Sequence, residues 1–456
     1  MSIAAASDKV PEIISRIERL PPTSWQVKAR LIVGVATFFD AFDMLAIAFV
    51  LPVIIHTWSI KPQNIGLIIS AGFGGQLIGA IFFGWLAEKI GRLRTTILTI
   101  LVYAVFSFCC AASWSYASLL TFRVLQGLGI GGEVPVAASY INEIIRAKGR
   151  GRFVLLYELV FPVGLMLAAL AGYWIVPHFG WRWLFIIGGV PAGIAIYLRW
   201  VLPESPRWLA SVGQNDRAEK AMITIEQQVK RALGTDLPEA KVIPVEGVTV
   251  RRTKFGELFS NIYLKRTIVV WVIWFATYLS IYGVTTWLPS IYRTVFKLPL
   301  DKSLLYSMVT QFSGLIGAFA AAMLVDRLGR RAWIAMAFFV GSVFHLGLWY
   351  AGASTVNQML IFTSLGFFFF SSNGLVVYLY TPELYPTRMR ALGSSLASAW
   401  TRLASMIGPY IIGMIIAHYK ISWVFPLFAL AGLIAGVVTV LFGIETKGKV
   451  LEEISP

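Results

Sequence analysis

Two aspartates stand inside an apolar run near the start of the chain, in the segment FFDAFDMLAIAF at residues 38–49. A charged side chain at the centre of a bilayer costs about 2.5–3.5 kcal/mol on insertion scales, so a membrane helix needs a reason to keep Asp40 and Asp43. The two lie about one helical turn apart on nearly the same face. Ionisable groups in this setting usually face a partner or a water-filled path, and this predicts a functional site.

Further ionisable residues interrupt later apolar runs. Glu133 follows four glycines and lies about 15 Å along the same helix from Arg123, so we do not expect the two to pair directly. Glu133 is expected to carry a proton or bind a polar group; the alternative is that it hydrogen-bonds, while protonated, across a close helix contact. Arg402, in SAWTRLASMIGPY, has the planar fork that suits a carboxylate; the alternative is a bond to a carbonyl of the seventh or tenth membrane span.

The composition predicts a polytopic membrane protein. The chain has 456 residues, of which 57% are hydrophobic and only 14% are charged, and its mean hydropathy is +0.72. Runs of about 20 apolar residues are long enough to cross a bilayer. They predict twelve spans, at about 30–55, 65–87, 95–113, 116–142, 153–176, 181–202, 267–290, 304–325, 332–351, 358–382, 391–417 and 422–444.

The distribution of basic residues predicts the orientation. With a cytoplasmic N-terminus, only six of the 39 Lys and Arg fall in segments on the opposite side, namely Lys61, Arg182, Arg293, Lys297, Lys302 and Lys420. The positive-inside rule then places both termini in the cytoplasm of a multi-pass protein of the plasma (inner) membrane. The net charge of +16 therefore reports orientation and contact with anionic lipid headgroups of the bilayer, and no nucleic-acid partner is expected.

The long polar stretch in the middle divides the spans into six and six. We expect a cytoplasmic segment at 1–29, an N-terminal half at 30–203, a linker with short helices at 204–266, a C-terminal half at 267–445 and a tail at 446–456. The halves share landmarks at a nearly constant offset: Gly91 and Gly329 lie 238 residues apart, and Glu204 and Glu445 lie 241 apart. Such duplication predicts an all-α fold of two pseudo-symmetric six-helix bundles around a central site.

Each half repeats a set of charged residues at the cytoplasmic ends of its helices. The expected network comprises Glu88, Arg92, Glu143 and Arg150 in the first half, and Asp326, Arg330, Glu383 and Arg390 in the second. Acid–arginine clusters of this kind can hold one conformation closed, so we predict a gating role. The alternative is that these residues only cap turns and fix topology.

These motifs resemble the major facilitator superfamily over the whole chain. DRLGRR, PESPR and ETKG are similar to motifs of its sugar porters, although Ile444 replaces their usual proline. At the positions where sugar porters carry two glutamines and an asparagine, this chain has Ala276, Thr277 and Tyr282. RIERLP, FDAFD and GGEVPVA, with a glutamate in span 5 and an arginine in span 11, more closely resemble bacterial nicotinate permeases, synaptic vesicle glycoproteins and organic anion and cation transporters.

The resemblance implies roles for individual residues. Asp43 and Arg123 align with an acid–arginine pair of proton-coupled members, and their alternative is a static ion pair. Asp40 aligns with a substrate-contacting position and is expected to be either a second proton site or a polar cavity residue. Glu158 takes the place of a ligand-binding glutamine and would contact a ring nitrogen or partner a cation such as Arg123.

A substrate site follows from the remaining alignments. Arg402 would hold a carboxylate, Tyr282 and Tyr378 would flank a ring, and Asn373 is a further candidate by helix face. The expected activity is proton-coupled uptake of a small aromatic or heterocyclic carboxylate by alternating access, with nicotinate as the best single expectation. The alternatives are an organic cation or sugar symporter and, from another class, a membrane nutrient sensor on a transporter scaffold.

Several classes are not expected. No nucleophile–base pair or phosphate loop stands in the sequence, so we do not predict an enzyme, and no cofactor is expected. Cys109 and Cys110 are adjacent and therefore poorly placed to bridge, and no metal cluster is predicted. The expected partners are the small organic anion, protons and the lipid bilayer, and the protein is expected to be a monomer.

Overall fold

The computed structural model describes residues 9–146, 160–239 and 255–447, and within these ranges the chain is helical and forms no β-strand. In chain order the α-helices of these ranges are α1 (Lys9–Glu18), α2 (Ser24–Trp58), α3 (Pro62–Ile90), α4 (Arg92–Ala111), α5 (Tyr116–Ile144), α6 (Val160–Phe179), α7 (Arg182–Gly188), α8 (Pro191–Val201), α9 (Pro206–Ser211), α10 (Asn215–Leu233), α11 (Asn261–Thr294), α12 (Leu300–Leu328), α13 (Arg330–Tyr350), α14 (Val356–Glu383), α15 (Thr387–His418) and α16 (Val424–Phe442).

The helices match the predicted spans, which confirms the all-α membrane fold. Spans 1 to 5 correspond to α2 to α6, span 6 to α7 plus α8, and spans 7 to 12 to α11 to α16. Within the described ranges, ten helices are long and apolar enough to cross a membrane. Span 6 is divided because Gly189 and Val190 separate two short helices and Pro191, which has no backbone N–H to donate, begins the second.

The duplication seen in the sequence recurs in the packing. In the first half α3 and α4 both pack along α5, and in the second half α12 and α13 both pack along α14. The turns that join these helices also match: Gly91 separates α3 from α4 with φ 109°, and Gly329 separates α12 from α13 with φ 95°. Only glycine adopts such a φ without strain, so one residue suffices to reverse the chain at both places.

The two halves meet most closely through α3 and α15. A Cβ added to Gly66 would lie 2.8 Å from the carbonyl oxygen of Pro409, and one added to Gly413 would lie 2.9 Å from that of Pro62. These residues belong to the start of α3 and the end of α15, on the side of the bundle away from α1, α9 and α10. We call that side the opposite face and the side of α1, α9 and α10 the linker face.

Helix α1 docks on the linker helices instead of lying free. Its Ile13 and Ile17 are fully buried and pack in one cluster with Met222 and Ile225 of α10 and Trp208 of α9. The hydrophobic side chains therefore close a small satellite core on the linker face. The sequence suggested only a polar leading segment and short linker helices, and the joint structure follows from the apolar stripe of α1.

Ion pairs surround this satellite core. Arg16 Nη2 lies 2.7 Å from Glu226 Oε2, Arg16 Nη1 lies 2.8 Å from Glu219 Oε1, and Arg19 Nη2 lies 2.6 Å from Glu226 Oε1. Burial raises the pKa of Glu226, but the hydrogen bonds and charges of Arg16 and Arg19 outweigh burial, so its pKa lies below the ordinary value. The hydrogen bond to Glu226 raises the pKa of Arg16, which stays charged.

We predict that Glu226→Gln releases α1 from the linker helices. The amide keeps the shape of the side chain but loses charge-assisted hydrogen bonds from two arginines, at a cost of about 1–3 kcal/mol. Hydrogen exchange of the α1 amides should accelerate by a corresponding factor. Because the folded pKa is depressed, this contribution is present above the unfolded pKa and is lost as the pH falls through the folded value, so wild-type protection should fall in acid.

Glu12→Gln is the matched control, since Glu12 is half exposed and its pairs with Lys9 and Arg16 are longer, at 3.5 Å. Exchange in Glu226→Gln that is no faster than in Glu12→Gln would contradict the proposed docking energy.

Candidate functional site

The two acids of α2 have different surroundings, and Asp43 is the fully bonded one. Arg123 Nη1 donates to Asp43 Oδ2 at 2.9 Å, and Gln126 Nε2 donates to Asp43 Oδ1 at 2.7 Å. Arg123 Nη1 also donates to Gln126 Oε1 at 2.8 Å, which closes the network. Asp43 is 0% exposed and Arg123 is 3% exposed. The predicted facing of Asp43 and Arg123 is therefore present, while its role in proton coupling stays a prediction.

Gln126 is a member of this network that the sequence analysis missed. It lies three residues after Arg123 and therefore on the same face of α5. The spacing of three residues could have indicated this role, because an arginine and an amide on one helix face can donate to the same carboxylate.

Glycines make room for this buried network, as the sequence predicted. A Cβ on Gly127 would lie 2.1 Å from the carbonyl oxygen of Gly72, and one on Gly131 would lie 2.0 Å from that of Gln76. A Cβ on Gly72 would also lie 3.0 Å from Arg123 Nη2. Larger residues would push α3 away from α5 and from the arginine between them.

A second group of residues gathers around Asp40. Its carboxylate interacts electrostatically with Arg402 of α15 and with Asp43 on its own helix. Tyr282 of α11 interacts with Tyr378 of α14, and also with Asp40 and Arg402. Four residues that the sequence assigned to a substrate site, Arg402, Tyr282, Tyr378 and Asp40, thus interact electrostatically across the two halves.

Asp40 and Arg402 are only partly satisfied by neighbouring groups. Asp40 is 2% exposed, and its Oδ1 has no hydrogen-bond partner among the described residues. Arg402 Nη2 donates to the carbonyl oxygen of Gly131 at 3.2 Å, and its Nε likewise has no partner in the described part of the chain. Arg402 is surrounded by protein yet keeps part of its surface accessible. At least one donor of its guanidinium, Nε, is therefore without an acceptor in the described part of the chain.

The bond from Arg402 differs from the alternative considered from the sequence. We expected the alternative carbonyl to belong to span 7 or span 10, within the same half. The carbonyl of Gly131 belongs to α5, so the bond joins the two halves. Sequence spacing cannot reveal such a bond because it depends on how the two bundles dock.

Aromatic rings line one side of this group. Trp274, Tyr278 and Tyr282 follow one another at every fourth position of α11, and their rings stack with centroids 5.6 and 5.8 Å apart. Tyr378 meets Trp274 edge-on at 4.7 Å, and Phe73 of α3 lies 5.1 Å from Tyr282. The rings form a rigid wall beside Arg402, with both halves contributing.

Glu133 of α5 contacts α2 at Thr37, one helical turn from Asp40. Thr37 Oγ1 donates to Glu133 Oε1 at 3.2 Å, and Glu133 is fully buried. This contact joins α5 to α2, which agrees with the cross-helix hydrogen bond considered from the sequence. It does not test whether Glu133 carries a proton.

Asn373 does not join the substrate group. Its Nδ2 donates to the carbonyl oxygen of Ile334 in α13 at 3.3 Å, and the side chain is fully buried. The face of α14 that meets α11 carries Gly374 and Tyr378 instead, where Tyr278 donates to the Gly374 carbonyl. The bond to Ile334 depends on the rotation of α14, which the sequence alone does not fix, and a substrate role for Asn373 stays a prediction.

Some predicted residues cannot be placed in this site. Glu158 and Arg150 lie outside the described residues, and so does the side chain of Arg390. Among the described residues, no three His, Cys, Asp or Glu side chains are grouped to hold a metal ion.

The charge clusters at the linker face form within each half. Arg92 pairs with Glu88 at 2.9 Å and with Glu143 at 3.1 Å. Their counterparts in the second half match: Arg330 pairs with Asp326 at 2.7 Å and with Glu383 at 3.3 Å. The repeated contacts hold α3 to α4 and α5, and α12 to α13 and α14. The gating role of these residues stays a prediction.

Glu204 and Glu445 have a role that the sequence did not reveal. Glu204 Oε1 accepts from the backbone N–H groups of Arg92 and Leu93, both at 2.9 Å, and so caps the first turn of α4. Glu445 Oε1 accepts from the N–H of Arg330 at 2.9 Å at the start of α13. A carboxylate at a helix N-terminus satisfies free N–H groups and complements the helix dipole. Hydrogen bonds thereby join the C-terminal end of each half to the first turn of α4 or α13.

The chain is similar to known transporters along nearly its full length. The family model described as "Sugar (and other) transporter" matches residues 33–456. The niacin transporter NiaP of Acinetobacter baylyi is 36% identical over 97% of this chain and 99% of its own. The putative niacin/nicotinamide transporter NiaP of Bacillus subtilis is 31% identical over 92% of this chain and 96% of its own.

Solved structures agree on the architecture. A D-xylose–proton symporter superposes with a TM-score of 0.73 over 94% of this chain and 100% of its own, at 19% identity. At that identity the likeness shows the fold alone, and it agrees with twelve spans in two bundles.

We predict that Gly91→Ala destabilises the protein whereas Gly84→Ala does not. A Cβ at Gly91 would lie 2.4 Å from Glu204 Oε2, and the φ of 109° adds about 1–2 kcal/mol of backbone strain. A Cβ at Gly84 would meet nothing within 4 Å. The check is thermal unfolding in detergent, with a lower midpoint expected for Gly91→Ala only. Equal midpoints would contradict the cap formed by Glu204.

Proposed function

The chain belongs to the sugar (and other) transporter family of the major facilitator superfamily, and from that premise we propose that it imports a small aromatic or heterocyclic carboxylate together with protons. Nicotinate is the substrate that we propose. The single observation that carries this choice is Arg402, whose Nε has no hydrogen-bond partner among the described residues and whose charge acts on Tyr282 of α11 and Tyr378 of α14.

Arg402 supplies the carboxylate recognition in this proposal. A guanidinium offers two parallel N–H donors, and the hydrogen bond to Gly131 uses Nη2 while Nε has no partner among the described residues. A carboxylate that accepts from Arg402 would replace weak or missing bonds with charge-assisted ones. An uncharged amide offers one acceptor oxygen and no charge, so it would bind less well.

The aromatic wall supports a planar substrate. Tyr282 and Tyr378 both interact electrostatically with Arg402, so a ring whose carboxylate reaches the guanidinium would lie against these side chains. Offset stacking favours a flat ring there. A sugar would need several polar side chains on α11, where this helix has Ala276, Thr277 and Tyr282.

Named relatives support the same substrate class. The relative from Acinetobacter baylyi is named a niacin transporter, and the relative from Bacillus subtilis is named a putative niacin/nicotinamide transporter. These names leave both the acid and the amide of the pyridine ring as candidates. Arg402 favours the acid. An organic cation is the second candidate, because Asp40 and Glu133 place buried acids close to the same site.

Alternating access is the proposed route. The halves pack tightly at the opposite face through α3 and α15, where Ser70 Oγ also donates to the carbonyl oxygen of Met406 at 2.6 Å. We take this contact as the closed gate of a state that faces the linker side. As the halves rock, Arg92 and Arg330 would exchange their ion-pair partners, and this exchange would close the linker side.

We expect purified protein in proteoliposomes to accumulate labelled nicotinate when the side of entry is more acidic. Benzoate should compete, whereas nicotinamide and D-xylose should compete weakly. Competition by nicotinamide that exceeds that of benzoate would contradict the role of Arg402 in binding the substrate carboxylate. Uptake that ignores the pH gradient would remove proton coupling, and preferred competition by an organic cation would support the second candidate.

Arg402→Gln is the variant that tests the site itself. It should lower nicotinate affinity by about 10- to 150-fold, because hydrogen bonds to a charged group contribute about 1.5–3 kcal/mol. Nicotinamide affinity should change little, so the preference between the two ligands should collapse. The matched control is Arg293→Gln, since Arg293 lies at the far end of α11 and donates to the carbonyl of Leu298. An unchanged preference in Arg402→Gln would contradict the site.

A further inference from the structure

The acids on α2 are not equivalent, although the sequence places them one turn apart. Both oxygens of Asp43 accept hydrogen bonds, from the cation Arg123 and from Gln126. Asp40 is also buried, but its Oδ1 has no partner in the described ranges, and the cation that acts on it electrostatically is Arg402 of the other half. Asp43 therefore has its own cation, Arg123, whereas the counter-charge of Asp40 is Arg402, which we propose also binds the substrate.

We infer that Asp40 couples the proton to the substrate, because Asp40 and the substrate carboxylate compete for Arg402. The inference rests on the function proposed above and identifies which acid carries the proton. In the empty site an ionised Asp40 offsets the charge of Arg402. When a proton from solution binds the Asp40 carboxylate, Arg402 loses this counter-charge and its guanidinium can bind the carboxylate of the substrate instead.

Charge balance in a buried site makes this exchange favourable. The pair of Arg402 and ionised Asp40 is neutral. One proton and one carboxylate add no net charge, so the loaded site is neutral as well. Binding of the carboxylate alone would leave two anions beside one cation, and binding of the proton alone would leave Arg402 uncompensated. Either state leaves a buried charge without a partner, which is costly.

Among the described residues, no second cation acts on Asp40 that would remove its competition with the substrate for Arg402. The charged and titratable groups that interact with it are Arg402 from α15, Asp43 from its own helix, Tyr282 from α11 and Tyr103 from α4. Arg123 is engaged with Asp43. Helix α6 packs against α2 near this point, where a Cβ on Gly164 would lie 2.9 Å from Ala41 Cβ, and Glu158 precedes α6 outside the described residues.

Asp43 is a poorer candidate for this exchange. Its protonation would leave Arg123 buried without a counter-charge and would break the hydrogen bond from Gln126 or Arg123. Neither Arg123 nor Gln126 has a direct bond to Arg402. The Asp43 network is therefore expected to hold α2 and α5 together while Asp40 titrates.

The test measures ligand affinity against pH for wild type and for Asp40→Asn. Benzoate is the ligand, because it has no ring nitrogen and its carboxylate stays ionised above about pH 5.5. Wild-type Kd should rise by up to about tenfold per pH unit once Asp40 ionises, since one proton is then taken up with each ligand. Asp40→Asn mimics the protonated acid and should bind with the low-pH affinity throughout, with no slope.

Uptake provides the second measurement. Asp40→Asn should exchange labelled for unlabelled benzoate across the membrane but should not accumulate it in response to a pH gradient. Asp40→Glu keeps a titrating group and should retain a slope. Asp301→Asn, which removes an exposed acid at the start of α12 far from the site, should behave as wild type in both measurements.

Two results would overturn the inference. A slope in folded Asp40→Asn equal to that of wild type would place the proton on another group. Loss of binding by folded Asp40→Asn at acidic pH would show that Asp40 contacts the ligand and does not compete with it. Failure of the proposed function is distinct, since wild type would then bind no benzoate or nicotinate at any pH.

Discussion

The cost of burying charge in a membrane governs the arrangement of this protein. Asp43 is tolerated in α2 because Arg123 and Gln126 reach it from α5, and α5 can come close to α3 because Gly72 and Gly127 have no side chains. The glycines, the arginine and the acid therefore depend on one another, because the two charges can pair only where the helices pack closely. The position of α2 against the rest of its half follows from that requirement.

A related requirement, that polar backbone groups need hydrogen-bond partners, explains why both halves end on a glutamate. A one-residue turn at Gly91 or Gly329 leaves N–H groups of the next helix without acceptors, and Glu204 or Glu445 supplies them. The copies are not identical, and the difference has a physical consequence. Pro203 can only accept from Tyr140, whereas Ile444 both accepts from Tyr380 and donates its N–H to the same hydroxyl at 2.9 Å. The departure from the usual proline therefore adds a hydrogen bond.

Much of this could be predicted from the sequence, because the signals were local or repeated. Hydropathy gave the spans, the constant offset gave the two halves, and the resemblance brought Asp43 together with Arg123. Features that depend on helix rotation or on docking could not be predicted. Asn373 bonds to Ile334 because α14 turns that face toward α13, and Arg402 reaches Gly131 because the two bundles dock there. The docking of α1 needed knowledge of where α10 lies.

The contrast between the two acids on α2 shows how one helix can both stabilise and respond. Asp43 has its cation in the same half, so that pair is unaffected when the halves move as rigid bodies. Asp40 belongs to the first half and Arg402 to the second, so the proposed rocking of the bundles would change their separation. A charge pair that spans the two bodies links ionisation to conformation, whereas a pair within one body cannot. Under the proposed mechanism, the arrangement of the proposed substrate residues would therefore make Asp40 sensitive to the conformational state of the protein.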